Sequence, residues 1–95
     1  MAAYILAQLD VHDPEMFERY RAKVAPLVEA FGGRYIVRGG EITPLEGELP
    51  QSRLVIIEFQ DREAAKRWYF SDEYQGILSL RLDSAHGTAV IVDGI

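Results

Sequence analysis

The side chains best placed to do chemistry are two arginines and one glutamate. Arg34 and Arg38 close the ends of a five-residue β-forming run inside GGRYIVRGG, Gly32 to Gly40, and Glu58 sits within RLVIIEF, Arg53 to Phe59, the most apolar strand-like run. A charge in such a run is costly unless it is paired. In a functional reading, Glu58 is a general acid or base tuned by its apolar surroundings, and Arg38 binds an anionic substrate or intermediate. In a structural reading, Glu58 pairs with Arg38 or Arg34 and fixes strand register or dimer geometry. The structural reading stands ahead, because ion-pair networks perturb such groups as readily as active sites do.

Other candidates carry less. His12 and His86 are the only histidines, and with Asp10 and Asp13 a two-histidine, one-carboxylate metal site can be drawn. No close motif supports it, so the histidines read as solvated turn residues and no metal is expected. Trp68, Tyr69 and Tyr74 could stack on an aromatic ligand; helical spacing makes Trp68 core with Ala64 and Ala65, while Tyr69 and Tyr74 edge toward a cavity mouth or reach across a dimer. Gly39 and Gly40 could turn backbone N–H groups toward an anion, but a bulge or tight bend explains them equally well. There is no phosphate loop, dinucleotide fingerprint or serine-nucleophile motif, and no cofactor is expected.

These side chains need elements to hold them. Ala3 to Val11 is short and apolar, which predicts a strand. Asp13, Pro14 and Glu15 then mark a helix start: a cap, a residue whose missing N–H costs nothing in the first turn, and a carboxylate at the positive end. Phe17, Tyr20, Val24, Leu27, Val28 and Phe31 follow at spacings of three and four, forming one core-facing stripe, and Gly32 stops the helix. Pro26 predicts a kink in its last turns. Arg34 to Arg38 is the second strand, Gly39 to Ser52 is rich in turns with a short extension allowed at EITPLEGEL, and Arg53 to Phe59 is the third strand. Asp61 caps a helix through Phe70, Ser71 caps a further one, and TAVIV, Thr88 to Val92, is the last strand. The order β-α-β-β-α-β, its second helical region in two pieces, predicts an α+β ferredoxin-like fold: a four-stranded antiparallel sheet with helices on one face, in one domain spanning 1–95.

Alternate strand residues point to opposite faces. Ile5, Ala7, Leu9, Tyr35, Val37, Val55, Ile57 and Phe59 are predicted to meet the helices. The other face takes Tyr4, Leu6, Gln8 and Asp10, Arg34, Ile36 and Arg38, Leu54, Ile56 and Glu58, and Thr88, Val90 and Val92. Large aliphatic side chains mixed with polar ones mark an interface or pocket wall. The expected partner is a second copy, giving a homodimer with a mixed cavity between its sheets. The expected ligand contacts there are Tyr4, Gln8, Arg34, Arg38, Glu58 and Tyr69, with Arg38 and Glu58 as the catalytic candidates.

Composition narrows the field. At 95 residues, 48% apolar and 26% charged, the chain reads as one ordinary soluble domain, small enough for a second copy that covers apolar surface to matter. Fifteen acidic against ten basic residues, with no basic block, argue against nucleic acid. The absence of cysteine excludes a disulfide framework, a thiolate metal site and a cysteine nucleophile. MAAYILAQLD has no basic leader and reaches an aspartate after a short apolar run, so neither a signal peptide nor a membrane span is expected, and the location reads as cytoplasmic.

Taken together, GGRYIVRGG, LEG at Leu45 to Gly47, VIIEF at Val55 to Phe59 and WYFSDEYQ at Trp68 to Gln75 resemble the small bacterial family known as domain of unknown function 1330. The likeness covers nearly the whole chain. Asp72 stands where that pattern often has proline, and it suits a first helical turn. The resemblance implies a dimeric α+β barrel, in a superfamily that includes cofactor-free quinol-type monooxygenases, isomerases such as muconolactone isomerase, and haem-dependent members. Two expectations of different class follow. One is a small-molecule protein that uses an inter-sheet cavity, a cofactor-independent oxygenase or isomerase acting on a small, partly aromatic acid. The other is a non-catalytic dimeric module for interaction or structure.

Overall fold

Strand alternation decides the layering. In the computed structural model, which describes residues 1–95, the strands are β1 (Ala3–Val11), β2 (Arg34–Arg38), β3 (Arg53–Phe59) and β4 (Ala85–Asp93), and the helices are α1 (Pro14–Ala30), α2 (Arg62–Tyr69), α3 (Asp72–Gln75) and α4 (Leu78–Ser84). The strands form one antiparallel sheet in the order β2-β3-β1-β4. This is the ferredoxin-like α+β plan, the protomer fold of the dimeric α+β barrels. The molecule is a slab of 34 × 32 × 16 Å, one sheet and one helical layer thick.

Along β1, Ala3, Ile5, Ala7 and Leu9 are buried, and Ile57 and Phe59 of β3 join them. All but Ala3 form one core cluster with Phe17, Tyr20, Val24 and Val28 of α1 and Ala64, Ala65 and Trp68 of α2. The helix starts are capped where expected: Asp13 accepts from the Met16 N–H at 3.1 Å, Asp61 from the Ala64 N–H at 2.8 Å, and the Ser71 hydroxyl from the Tyr74 N–H at 3.1 Å. Each cap satisfies a first-turn N–H that has no partner inside the helix. Past the end of α1, Gly32 turns the chain at φ +83°, and α1 itself runs as one helix through Pro26.

Three expectations about element bounds are corrected. The second helical region is in three pieces, because Gly76 and Ile77 separate α3 from α4. The last strand starts at Ala85, ahead of TAVIV, because the backbone pairs with β1 as far as Val11. EITPLEGEL forms no strand; Pro44 cannot donate to a ladder, Gly47 turns at φ +65°, and Gly40 to Pro50 are all exposed.

A fourth correction matters for the site. Tyr35 stands opposite Ile57, but Val37 stands opposite Ile56 and Arg38 opposite Val55. Ile36 is therefore an extra residue, a β-bulge, and it reverses the facing of everything after it. Val37 joins Ile56 on the open face rather than the helix face. Arg38 turns with Val55 toward the helices and away from Glu58, because strict alternation from Arg34 holds only as far as Tyr35.

Candidate functional site

On the open face, Arg34 and Glu58 are cross-strand neighbours, and the Arg34 Nε–H donates to Glu58 Oε1 at 2.7 Å. The Tyr4 hydroxyl lies 3.5 Å from Glu58 Oε2, long for an O–H···O bond. With the Arg34 side chain 73% exposed, the pair contributes about 0–1 kcal/mol and aligns β2 against β3. Gln8, between Leu54 and Thr88, has a buried Oε1 with no hydrogen-bond partner.

At one end of the sheet, Asp10 Oδ1 accepts from the backbone N–H and the hydroxyl of Ser52, both at 2.9 Å. The Ser52 N–H and then its hydroxyl hold the Asp10 carboxyl below its usual value, with a smaller contribution from His86. His86 Nε2 is 3.8 Å from Asp10 Oδ2, and His12 stacks on His86 with centroids 6.2 Å apart. No three side chains of metal-ligating type converge there.

The helix-facing side holds a cavity, and the sequence explains why. Two successive rungs pair Ala7 with Ala89 and Leu9 with Gly87, so three of the four residues on this side of the sheet are too small to fill the layer. The void is about 40 Å³ and is lined by seventeen residues; thirteen are apolar or aromatic, and the other four are Arg21, Arg38, Arg53 and Arg81. None is acidic. Arg38 arrives by the bulge, Arg53 opens β3, Arg21 lies on α1 and Arg81 on α4.

Of the expected ligand contacts, Arg38 and Tyr69 line this cavity, whereas Tyr4, Gln8, Arg34 and Glu58 do not. The sequence reading missed Arg21, Arg53 and Arg81 as site residues. A signal for Arg21 existed: it follows Tyr20 and precedes Val24 by three, on the flank of the apolar stripe.

Two of the four arginines are held by aromatic faces. The Arg38 guanidinium lies 4.5 Å over the Tyr35 ring, and that of Arg53 lies 5.4 Å over Phe17. Gly39, at φ +70°, leaves room that a Cβ would take from the Arg53 guanidinium. Of the four, only Arg21 has an ion-pair partner, the exposed Glu18. The Nε atoms of Arg21, Arg53 and Arg81 and Trp68 Nε1 are buried without hydrogen-bond partners. Desolvation, then the charges of Arg21 and Arg38, hold Arg53 below the usual arginine range.

The Tyr20 and Tyr74 hydroxyls share a buried hydrogen bond of 2.8 Å. Burial first pushes both phenols up from their ordinary value; each is an acid whose raised value keeps it neutral in the fold. Their contribution to stability is therefore full below the unfolded value near pH 10 and falls above it by about 1.4 kcal/mol per phenol per pH unit. An alkaline titration is expected to show phenolate absorbance from these two rings only as the fold is lost. Ionisation of all five tyrosines in a still-folded protein would contradict the buried pair.

Solved structures share this architecture. RPA0582, a protein of unknown function from Rhodopseudomonas palustris, is 15% identical with a TM-score of 0.78, over 99% of this chain and 82% of that chain. SnoaB, a cofactor-independent oxygenase from Streptomyces nogalater, is 14% identical with a TM-score of 0.68, over 99% of this chain and 93% of that one. Rv0793 from Mycobacterium tuberculosis is 14% identical with a TM-score of 0.59, over 100% and 96%. At such identities the likeness is one of fold alone. No curated protein matches the chain. Residues 2–95 match the family described as Domain of unknown function (DUF1330), and the chain belongs to that family.

Proposed function

We propose that the protein binds a small aromatic anion in the cavity between its helices and sheet, and that two copies associate through the open faces of their sheets. The composition of the lining carries the first part. In a chain of net charge −5, four of the ten cationic residues gather around one aromatic cavity that has no acidic wall. Arg81 is buried and Arg53 half-buried, neither with an anionic partner, and cations so placed destabilise a fold, which favours an anionic ligand as the complement. The bulge at Ile36 turns Arg38 toward the helices, which favours a site beneath one sheet over one between two sheets.

As it stands, the void has room for roughly three waters. Clefts of about 220 and 240 Å³ adjoin it; the first shares Ile5, Tyr69 and Ala89 with the void, the second Leu9, Arg81 and Ala89. Either cleft joined to the void falls just short of the ~300–1,000 Å³ range of small-molecule sites, and the three spaces together lie within it. Fixed guanidinium groups stabilise negative charge that develops on a ring oxygen. That favours a substrate that forms its own carbanion or phenolate, as in oxygenation or isomerisation without a cofactor. SnoaB, described as a cofactor-independent oxygenase, has the same fold.

The open face supports the second part. Ile36, Val90 and Val92 are 45%, 52% and 46% exposed there, a patch of the kind that marks an interaction site. Glu58, paired with Arg34 and outside the cavity, favours a role in the geometry of self-association over one in catalysis.

A native mass spectrum of freshly purified protein, followed by thermal melts with and without 4-hydroxybenzoate, tests both parts. We expect a two-chain species and a rise in melting temperature with 4-hydroxybenzoate but not with phenol. Arg53→Met should melt a few degrees higher than the parent without ligand, through relief of repulsion, and should lose the response. A clean monomer would remove the self-association, and equal responses to anionic and neutral rings would remove the anion site.

A further inference from the structure

The four arginines form two groups. Arg53 at the start of β3 and Arg38 at the end of β2 lie close enough to Arg21 of α1 for their charges to be felt at Arg53. Arg81 stands apart: it comes from α4 and lines the cleft over β1 and β4 with Leu9, Gly87 and Ala89. In the strand order β2-β3-β1-β4, β3 and β4 are two spacings apart. That is roughly 10 Å, the span of one ring with a substituent at each end.

Arg81 is itself a built feature. Its residue is 9% exposed, its Nε has no hydrogen-bond partner, and no carboxylate lies within ion-pair distance. Beside it the Tyr20 and Tyr74 hydroxyls carry two protons, of which their mutual bond uses one. The other has no acceptor on the protein and is free for whatever fills the cavity. Trp68 adds an indole N–H, also unpartnered, with its ring 4.2 Å from that of Tyr74. Arg81 and Trp68 can only donate and the tyrosine pair has a proton to spare, so an occupant that brings an acceptor satisfies all of them.

We infer that the cavity takes a two-headed aromatic acid: a carboxylate held by Arg21, Arg38 and Arg53, and, across the ring, a second oxygen held by Arg81, the Tyr20–Tyr74 pair and Trp68. This rests on the small-molecule reading above and names the ligand class it lacked. A hydroxyl, ring carbonyl or second carboxylate meets the requirement at the far end; an unsubstituted ring edge leaves the donors buried and unpaired.

Calorimetric titration of the unaltered protein with benzoate, 4-hydroxybenzoate and terephthalate tests the inference. The two para-substituted acids are expected to bind at least tenfold more tightly than benzoate. Arg81→Met should abolish that preference, so that within this variant the two para-substituted acids bind no more tightly than benzoate. Equal affinities for benzoate and 4-hydroxybenzoate in the unaltered protein would overturn the two-headed site and leave the anion-binding reading standing. Failure of all three to bind would overturn that reading as well. A tenfold preference that persists in a folded Arg81→Met protein would place the second head elsewhere and overturn the assignment to Arg81.

Discussion

Replacing Trp68 by alanine is expected to lower the unfolding free energy by about 3–5 kcal/mol. The side chain is 2% exposed, with its ring 4.2 Å from Tyr74 and 5.6 Å from Phe59. The neighbours cannot close the gap, because Tyr74 is tied to Tyr20 and Phe59 is fixed in the sheet. A domain of this length has only about 5–14 kcal/mol in total, so the variant should be partly unfolded on mild heating. Urea melts followed by circular dichroism give the number, since the only tryptophan is lost as a fluorescent probe. A loss below about 1 kcal/mol would show that the aromatic cluster collapses freely, and a preformed cavity would then be untenable.

Gly87→Ala should cost about 4 kcal/mol or more. Gly87 sits in β4 at φ +155°, opposite Leu9, and a Cβ there would meet the Gln8 carbonyl oxygen and the Leu9 Cα. Those are backbone atoms of the neighbouring strand. No rotamer change moves them, so the first half of β4 must leave β1. Gly40→Ala is the control, because a Cβ at Gly40 meets nothing within 4 Å; it should stay within about 0.5 kcal/mol of the parent. Amide exchange should quicken around His86 to Ala89 in Gly87→Ala and hardly change near Val92. A variant as stable as the parent would mean that this stretch of β4 pairs in another register.

What could be read from the chain alone was whatever local chemistry decides. Asp13, Asp61 and Ser71 cap helices because a short polar side chain can reach its own first turn, and no distant residue needs to agree. The alternation of β1 was legible because that strand is covered on one face along its length, so its pattern is written in Ile5, Ala7 and Leu9. β2 was not, since nothing in RYIVR distinguishes a regular five-residue strand from one that bulges at Ile36; the register against β3 decides. Arg81 was invisible for a related reason. On a short helix of mixed composition, LSLRLDS, an arginine reads as solvent-facing until the layer beneath it is known to be floored by glycine and alanine. Local chemistry thus identified the elements, and long-range register placed the charges.

The bulge at Ile36 has a meaning in the language of sequence change. The open face and the helix-side cavity are separate compartments, and the last residue of β2 belongs to one or the other according to whether Ile36 is taken into the ladder or left out of it as a bulge. Deleting Ile36 would leave Val37 opposite Ile56 and Arg38 opposite Val55, so the charge stays beneath the helices, whereas drawing Ile36 into regular pairing would carry Arg38 to the open face with no change of residue type. β2 is an edge strand, where such irregularity is tolerated. In this chain, whether one edge strand bulges is accordingly as decisive for the site as the identity of its arginine.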